Sequence, residues 1–140
     1  MDKSLLDTDI LSEVIKGIDP AVAQNSSAYR RQYGRFTLST ITVVEVIKGF
    51  HKKAPGRVDE LVKRLANEEA LPLDMSAAVL AGKIYADLEK AGQTIGRVDP
   101  IIAGVAIASG LVLVTGNTEH FERIKTLGYD LTLENWRDAS

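Results

Sequence analysis

The stretch Ser4-Leu5-Leu6-Asp7-Thr8-Asp9-Ile10-Leu11 joins two kinds of hydrophobic pattern. A short apolar run ends at Asp7, and from Asp9 onward the apolar positions recur at helical spacing as far as Ile18. This pattern predicts a buried strand followed by an amphipathic helix. Because Asp9 is better placed than Asp7 to cap that helix, capping leaves Asp7 without a structural explanation. Asp7 is therefore a candidate functional residue.

The rest of the chain continues this alternation of strands and helices. We predict Ser76 as the N-cap of one helix, and Asp99, which precedes Pro100, as the N-cap of another. Strands that alternate with helices imply βαβ units and a parallel sheet with helices on both faces. The predicted helices cover residues 20–33, 43–50, a segment ending near 67, 76–90, 101–108 and 119–127, and the later predicted strands cover 36–39, 70–73, 111–114 and 131–133.

The composition is typical of a globular protein. The 140 residues, 45% hydrophobic and 26% charged, predict one domain over residues 1–140. The absence of cysteine excludes disulfides, thiolate metal sites and cysteine nucleophiles. No stretch has the length of a signal-peptide core or of a membrane span, so we expect a cytoplasmic protein with no membrane partner. With a net charge of -2, any nucleic-acid binding must come from local basic patches.

Four polar residues are candidates for a site at the carboxyl ends of the strands. Asp7 and Asn117 each follow a predicted strand and therefore lie on the same edge of the sheet. Glu45 is a single acid in an otherwise apolar helical stretch, and Asp99 heads a helix that is too apolar to lie on the surface. We expect the three acids to converge.

Clustered carboxylates require compensation. Like charges within a few ångströms cannot all stay ionised, because the pKa of at least one would rise. A divalent cation resolves this conflict, and oxygen ligands favour Mg²⁺ or Mn²⁺. Such an ion activates water and neutralises charge on a phosphodiester, so the pattern indicates metal-assisted hydrolysis.

Each of these residues also has an ordinary structural use. Asp99 could serve only as a helix cap, Glu45 could pair with Lys48 or Lys52 on the helix surface, and Asn117 could be a turn residue. The two histidines are too far apart in the sequence to suggest a zinc site, and both are predicted to be surface residues: His51 and His120.

Four segments, in order and with family-like separations, resemble the motifs of the PIN-domain nucleases, and most closely those of the bacterial VapC-type toxins. They are residues 5–12, 38–45, 95–103 and 113–121. The resemblance implies a three-layer α/β/α fold with a central parallel sheet of four to five strands. It also implies Asp7, Glu45 and Asp99 as metal ligands, with Asn117 in support.

The same resemblance implies an Mg²⁺- or Mn²⁺-dependent endoribonuclease, the toxin of a toxin–antitoxin pair, with tRNA as the suggested target. Its partners would be the RNA substrate, a small VapB-type antitoxin and a second copy of the chain in a homodimer. The hydroxyls of Thr8 and Thr115 would orient water or a carboxylate. Three basic residues are candidates for contact with the RNA backbone: Arg97, Lys48 and Lys52.

The fourth motif departs from the family pattern. Relatives often carry a further acid at or near this motif, whereas Asn117 is uncharged and His120 stands where some relatives have aspartate. Glu119 is a possible substitute for that acid. The number of metal ions, one or two, therefore stays open.

Two other functions are compatible with parts of the sequence. A PIN domain that has lost catalysis could act only as an RNA- or protein-binding module. The apolar run followed by Asp7-Thr8-Asp9 also resembles the nucleophile motif of haloacid-dehalogenase-like phosphatases, although the lysine and paired acids of those enzymes have no clear counterpart.

Overall fold

A computed structural model describes residues 1–138 and contains a parallel sheet of five short strands. The strands are β1 (Ser4–Leu6), β2 (Thr37–Ser39), β3 (Glu69–Leu71), β4 (Val112–Val114) and β5 (Leu133–Glu134). The helices are α1 (Thr8–Lys16), α2 (Pro20–Tyr33), α3 (Thr40–Lys53), α4 (Val58–Leu65), α5 (Met75–Lys90), α6 (Asp99–Ala108) and α7 (Thr118–Thr126), with a single 3₁₀ turn at Pro55–Arg57.

The strand order β3-β2-β1-β4-β5 puts β1 in the centre of the sheet. Leu5 of β1 is in register with Thr37 of β2 on one side and with Leu113 of β4 on the other. The chain therefore leaves β1 in one direction to build β2 and β3, and crosses to the other side to build β4 and β5. In open α/β sheets such a reversal separates the loops that follow the central strands, and the topology therefore implies a crevice at the carboxyl ends of β1 and β4.

Adjacent residues of the central strands point to opposite faces of the sheet, and each face has its own core. Leu5 and Leu113 are fully buried in a core shared with α5, α6 and α7. Leu6 and Val114 are fully buried in a core shared with the first four helices. The predicted three-layer α/β/α fold is confirmed.

Helix α6 is the most apolar helix because it lies in the core. Most of its residues are buried, including Ile102 and Val105. Within residues 1–138, no helix has the length and apolarity needed to cross a bilayer.

Several predicted boundaries are wrong. Helix α5 is capped by Asp74, whose Oδ1 accepts a hydrogen bond from the Ala77 N–H at 2.9 Å, and Ser76 lies inside the helix. Asp99 is not an N-cap, because α6 begins at Asp99 itself, and the N-cap residue Val98 makes no side-chain cap hydrogen bond. Strand β3 ends before Pro72, which has no N–H for a ladder. Strand β5 starts at Leu133 rather than at residue 131.

Candidate active site

Asp7 is held at the end of β1 by hydrogen bonds to both of its carboxylate oxygens. Oδ1 accepts from the Thr8 N–H at 2.8 Å, which makes Asp7 the N-cap of α1. Oδ2 accepts from the Thr115 hydroxyl at 2.8 Å. The side chain is 3% exposed. The expectation that Asp9 would cap α1 is therefore wrong, and Asp7 both caps the helix and faces the crevice.

Thr115 connects the ends of β1 and β4. Its hydroxyl donates to Asp7 and accepts from the backbone N–H of Asn117 at 3.0 Å. The Asn117 side chain is exposed and gives α7 no side-chain cap. Within the described residues, Asn117 joins this network through its backbone N–H, and its predicted support of the metal ligands stays a prediction.

Asp99 starts α6 on the other side of the crevice and is 9% exposed. Its Oδ2 lies 3.4 Å from Nδ1 of His120 on α7, so His120 contacts the site. The His120 side chain is also 42% exposed, in agreement with the predicted surface position, but its contact with Asp99 was not expected. Gly96 allows this arrangement, because a Cβ at that position would lie 2.6 Å from the same carboxylate oxygen.

Glu45 reaches the site through Thr8. It lies half-buried on α3, and its Oε1 accepts a hydrogen bond from the Thr8 hydroxyl. Within residues 1–138, no three acidic or histidine side chains stand close enough to form a ready-made metal-binding group. The expected convergence of the three acids is therefore incomplete in this arrangement, and their role as metal ligands stays a prediction.

Burial sets the electrostatics of the two central acids. Burial raises the pKa of Asp7 from 3.8 to about 7; the negative charge of Asp9 adds to this rise and the hydrogen bond from Thr115 opposes it. Burial also raises the pKa of Asp99, and the hydrogen bond and charge of His120 oppose that rise. A desolvated carboxylate beside other acids is stabilised either by a proton or by a cation.

Sequence reasoning missed two further residues near Asp7. The Oδ2 atom of Asp9 accepts from the Gly116 N–H at 2.9 Å and lies 3.7 Å from a terminal guanidinium nitrogen of Arg137. Asp9 could have been found, since it stands two positions after Asp7. Arg137 had no such signal, because only the fold brings the segment after β5 to the start of α1.

The basic residues chosen as RNA contacts lie on exposed surfaces. Lys48 and Lys52 line a cleft of about 310 Å³ together with Thr8 and Glu45. Arg97 is exposed in the loop before α6, where its carbonyl accepts from the Tyr85 hydroxyl. Their binding of RNA stays a prediction.

Several known proteins are similar to this chain in fold and in sequence. The PIN domain family model matches residues 4–127. The chain is 33% identical to the tRNA(fMet)-specific endonuclease VapC of Shigella flexneri and 35% identical to that of Salmonella typhimurium, in each case over 97% of this chain and 99% of the relative. The structure of DNA-bound VapBC from Salmonella typhimurium contains a chain that matches with a TM-score of 0.81 at 33% identity, over 97% of this chain and 99% of that chain. This chain therefore belongs to the PIN domain family.

Proposed function

We propose that the protein is an endoribonuclease that hydrolyses RNA phosphodiester bonds with a divalent cation held at Asp7 and Asp99, and that it acts as the toxin of a toxin–antitoxin pair. The observation that carries this proposal is the pair of buried carboxylates at the carboxyl edge of the sheet. Asp7 receives its hydrogen bonds from neutral groups, the Thr8 N–H and the Thr115 hydroxyl. Its negative charge therefore needs a cation that those groups do not supply.

The chemistry of the donor set fits Mg²⁺ or Mn²⁺. Asp7 and Asp99 offer hard oxygen ligands, and Glu45, whose Oε1 accepts from the Thr8 hydroxyl, offers a third through its other oxygen. The chain has no thiol that would favour a softer metal. A bound divalent cation would lower the pKa of a water molecule and neutralise charge that develops on the scissile phosphate.

The protein's own groups would orient the site for this chemistry. The Thr115 hydroxyl and the Thr8 N–H hold the two Asp7 oxygens in one orientation, so little reorganisation is needed when a charge arrives. Gly96 leaves room for the Asp99 carboxylate, and His120 holds it from the other side. Thr8 fixes Glu45 at the edge of the cleft.

RNA would reach the acids along the basic side of the cleft. Lys48 and Lys52 extend from α3 beside Glu45, where their charge offsets the repulsion between phosphates and carboxylates. Since the relatives from Shigella and Salmonella are named tRNA(fMet)-specific endonucleases, we propose tRNA as the substrate class. An RNA substrate also supports a cytoplasmic location.

The proposed protein partner is a small VapB-type antitoxin that covers the acidic crevice. The match to a VapBC structure supports this partner. The homodimer expected from the resemblance stays a prediction. Met75 and Val79, one turn apart on α5, are exposed apolar residues, and their surface is one candidate for the homodimer interface.

Two other functions are weaker. The phosphatase hypothesis rests on the short Asp7-Thr8-Asp9 stretch alone. Nearly the whole chain, this stretch included, is similar to a named nuclease and matches the PIN domain family, which favours the nuclease. A non-catalytic binding module would not need two buried carboxylates with raised pKa values in one crevice.

The direct test is cleavage of total cellular RNA by the purified protein with Mg²⁺, with Mn²⁺ or with chelator. We expect metal-dependent cutting, strongest on the tRNA fraction, that falls by on the order of a hundredfold or more in Asp7→Asn and Asp99→Asn. The matched control is Asp2→Asn, which removes one exposed carboxylate that precedes β1 and so lies at the opposite end of that strand from Asp7. Equal cleavage by all four proteins would refute the assignment, and no cleavage of any RNA by the wild type would favour the binding module.

A further inference from the structure

The guanidinium of Arg137 lies beside the acidic crevice. Its Nε donates to both carboxylate oxygens of Glu13, at 2.9 and 3.0 Å, and a terminal nitrogen lies 3.7 Å from Oδ2 of Asp9. The same Asp9 oxygen accepts from the Gly116 N–H. Asp9 is therefore held between a cation and the loop that follows β4.

The backbone next to Arg137 is fixed by a buried anchor. Trp136 is fully buried, with its ring 5.6 Å from that of Tyr29 and 6.2 Å from that of Phe36. Its carbonyl accepts from the Asn25 side-chain amide at 3.0 Å. Because these contacts fix position 136, the arginine that follows has a defined reach to the crevice.

Gly116 makes room for the guanidinium. A Cβ at this position would lie 1.8 Å from a terminal nitrogen of Arg137 and 2.7 Å from Oδ2 of Asp9. Gly116 is not among the glycines with positive φ, so its backbone conformation suits any residue. A side chain at this position would therefore displace the guanidinium of Arg137, while the backbone itself places no demand for glycine.

The charge of Asp9 acts on both central acids. Its negative charge contributes to the raised pKa of Asp7 and to that of Asp99, so Asp9 is close enough to influence the crevice. The hydrogen bond with Glu13 raises the pKa of Arg137 itself, which keeps the guanidinium charged at every pH of interest. Arg137 therefore supplies a permanent positive charge next to the site.

We propose that Arg137 is an internal counter-cation and a positioning residue: it fixes and partly neutralises the Asp9 carboxylate beside the metal ligands and makes the potential of the crevice less negative, so that the wild type binds a single divalent cation with moderated affinity. This inference rests on the proposed metal-dependent function. A direct contact between Arg137 and RNA phosphate is less favoured, because two carboxylates already share its charge.

Binding of Mn²⁺ without RNA, followed by electron paramagnetic resonance of the free ion, tests the proposal without relying on activity. We expect one Mn²⁺ per chain for the wild type. The Mn²⁺ affinity should rise roughly three- to tenfold in each of two variants. Arg137→Gln removes the positive charge beside the crevice, and Gly116→Ala displaces it. Arg137→Lys keeps the charge and should stay within about twofold of the wild type.

Arg35→Gln is the matched control. Arg35 lies at the opposite end of the sheet, where a terminal guanidinium nitrogen is 3.5 Å from a carboxylate oxygen of Glu69. The variant removes one positive charge from that ion pair and should leave the Mn²⁺ affinity unchanged. Near-ultraviolet circular dichroism of Trp136 checks that each variant keeps its fold. Two Mn²⁺ ions per wild-type chain would overturn the proposal, as would wild-type affinity in both Arg137→Gln and Gly116→Ala.

A weaker interaction with RNA in Arg137→Gln, with unchanged Mn²⁺ binding, would overturn the proposal in favour of a phosphate contact. A wild type that binds no Mn²⁺ at all would refute the metal-dependent function itself. The failure of the two proposals is therefore distinguishable.

Discussion

Replacement of Asp7 by asparagine should reduce the loss of stability that the metal-free protein undergoes as the pH rises from 5 to 8. The fold raises the pKa of Asp7 from 3.8 to about 7, so the folded state binds a proton more tightly than the unfolded state does. A carboxyl group of this kind favours folding at low pH and loses that contribution as the pH rises through the folded-state pKa. The wild type should therefore lose stability between pH 5 and pH 8, and a side chain that cannot ionise should not.

The size of the change in free energy of unfolding follows from the pKa shift of Asp7. Full ionisation of a group moved from 3.8 to about 7 costs about 4 kcal/mol, and about 3 kcal/mol of this falls between pH 5 and pH 8. No discount for solvent screening applies, because Asp7 is 3% exposed. Asparagine accepts from only one of the two donors that Asp7 serves, but this cost is the same at both pH values.

The assay is urea unfolding of wild type and Asp7→Asn in chelator at pH 5 and pH 8. The difference in free energy of unfolding between the two proteins should shift by about 3 kcal/mol in favour of the variant on going to pH 8. Other titrating groups contribute to both proteins and largely cancel. A difference that stays constant within about 0.5 kcal/mol would show that Asp7 titrates normally, and would refute the reasoning from burial.

Three further outcomes follow from the same contacts. Mn²⁺ affinity measured by calorimetry should fall roughly 10- to 100-fold from pH 8 to pH 5.5, because a proton on Asp7 competes with the metal; a flat profile would contradict this. Gly96→Ala should lower RNA cleavage at least about tenfold, because the new methyl group displaces the Asp99 carboxylate. The control Gly82→Ala places a methyl group in open space on α5, so it should keep full activity and raise the free energy of unfolding by about 0.5–1 kcal/mol. In the double variant Lys48→Gln/Lys52→Gln, a plot of log RNA affinity against log salt concentration should be less steep by roughly 1 to 1.5. An unchanged slope would exclude these lysines as phosphate contacts.

The alternation of strands and helices was sufficient to predict the sheet. The spacing of apolar residues identifies each element, the glycines and prolines mark where it ends, and both are local properties of the sequence. Asp7 could be predicted for the same reason, because it stands where β1 ends. The details of helix starts were harder. Ser76 and Asp74 are both good caps, and only the geometry of the chain between β3 and α5 selects Asp74.

Contacts between distant segments could not be predicted. The approach of His120 to Asp99 depends on how α6 packs against α7, and that of Arg137 to Asp9 depends on where buried Trp136 fixes the segment after β5. No periodicity in the sequence encodes these distances. Their traces in the sequence are Gly96 and Gly116, two glycines without positive φ, where a Cβ would lie within 3 Å of Asp99 and of Arg137, respectively.

A parallel titration of Mn²⁺ binding and RNA cleavage on the same preparation decides whether the buried acids hold the catalytic metal. Wild type and Asp99→Asn are compared across gel-filtration fractions, so that a contaminating nuclease is recognised by its elution. We predict that wild-type cleavage follows the protein peak and rises with the same midpoint as Mn²⁺ binding, and that Asp99→Asn loses both. Cleavage that persists in chelator or in Asp99→Asn would contradict the claim that the buried acids hold the catalytic metal.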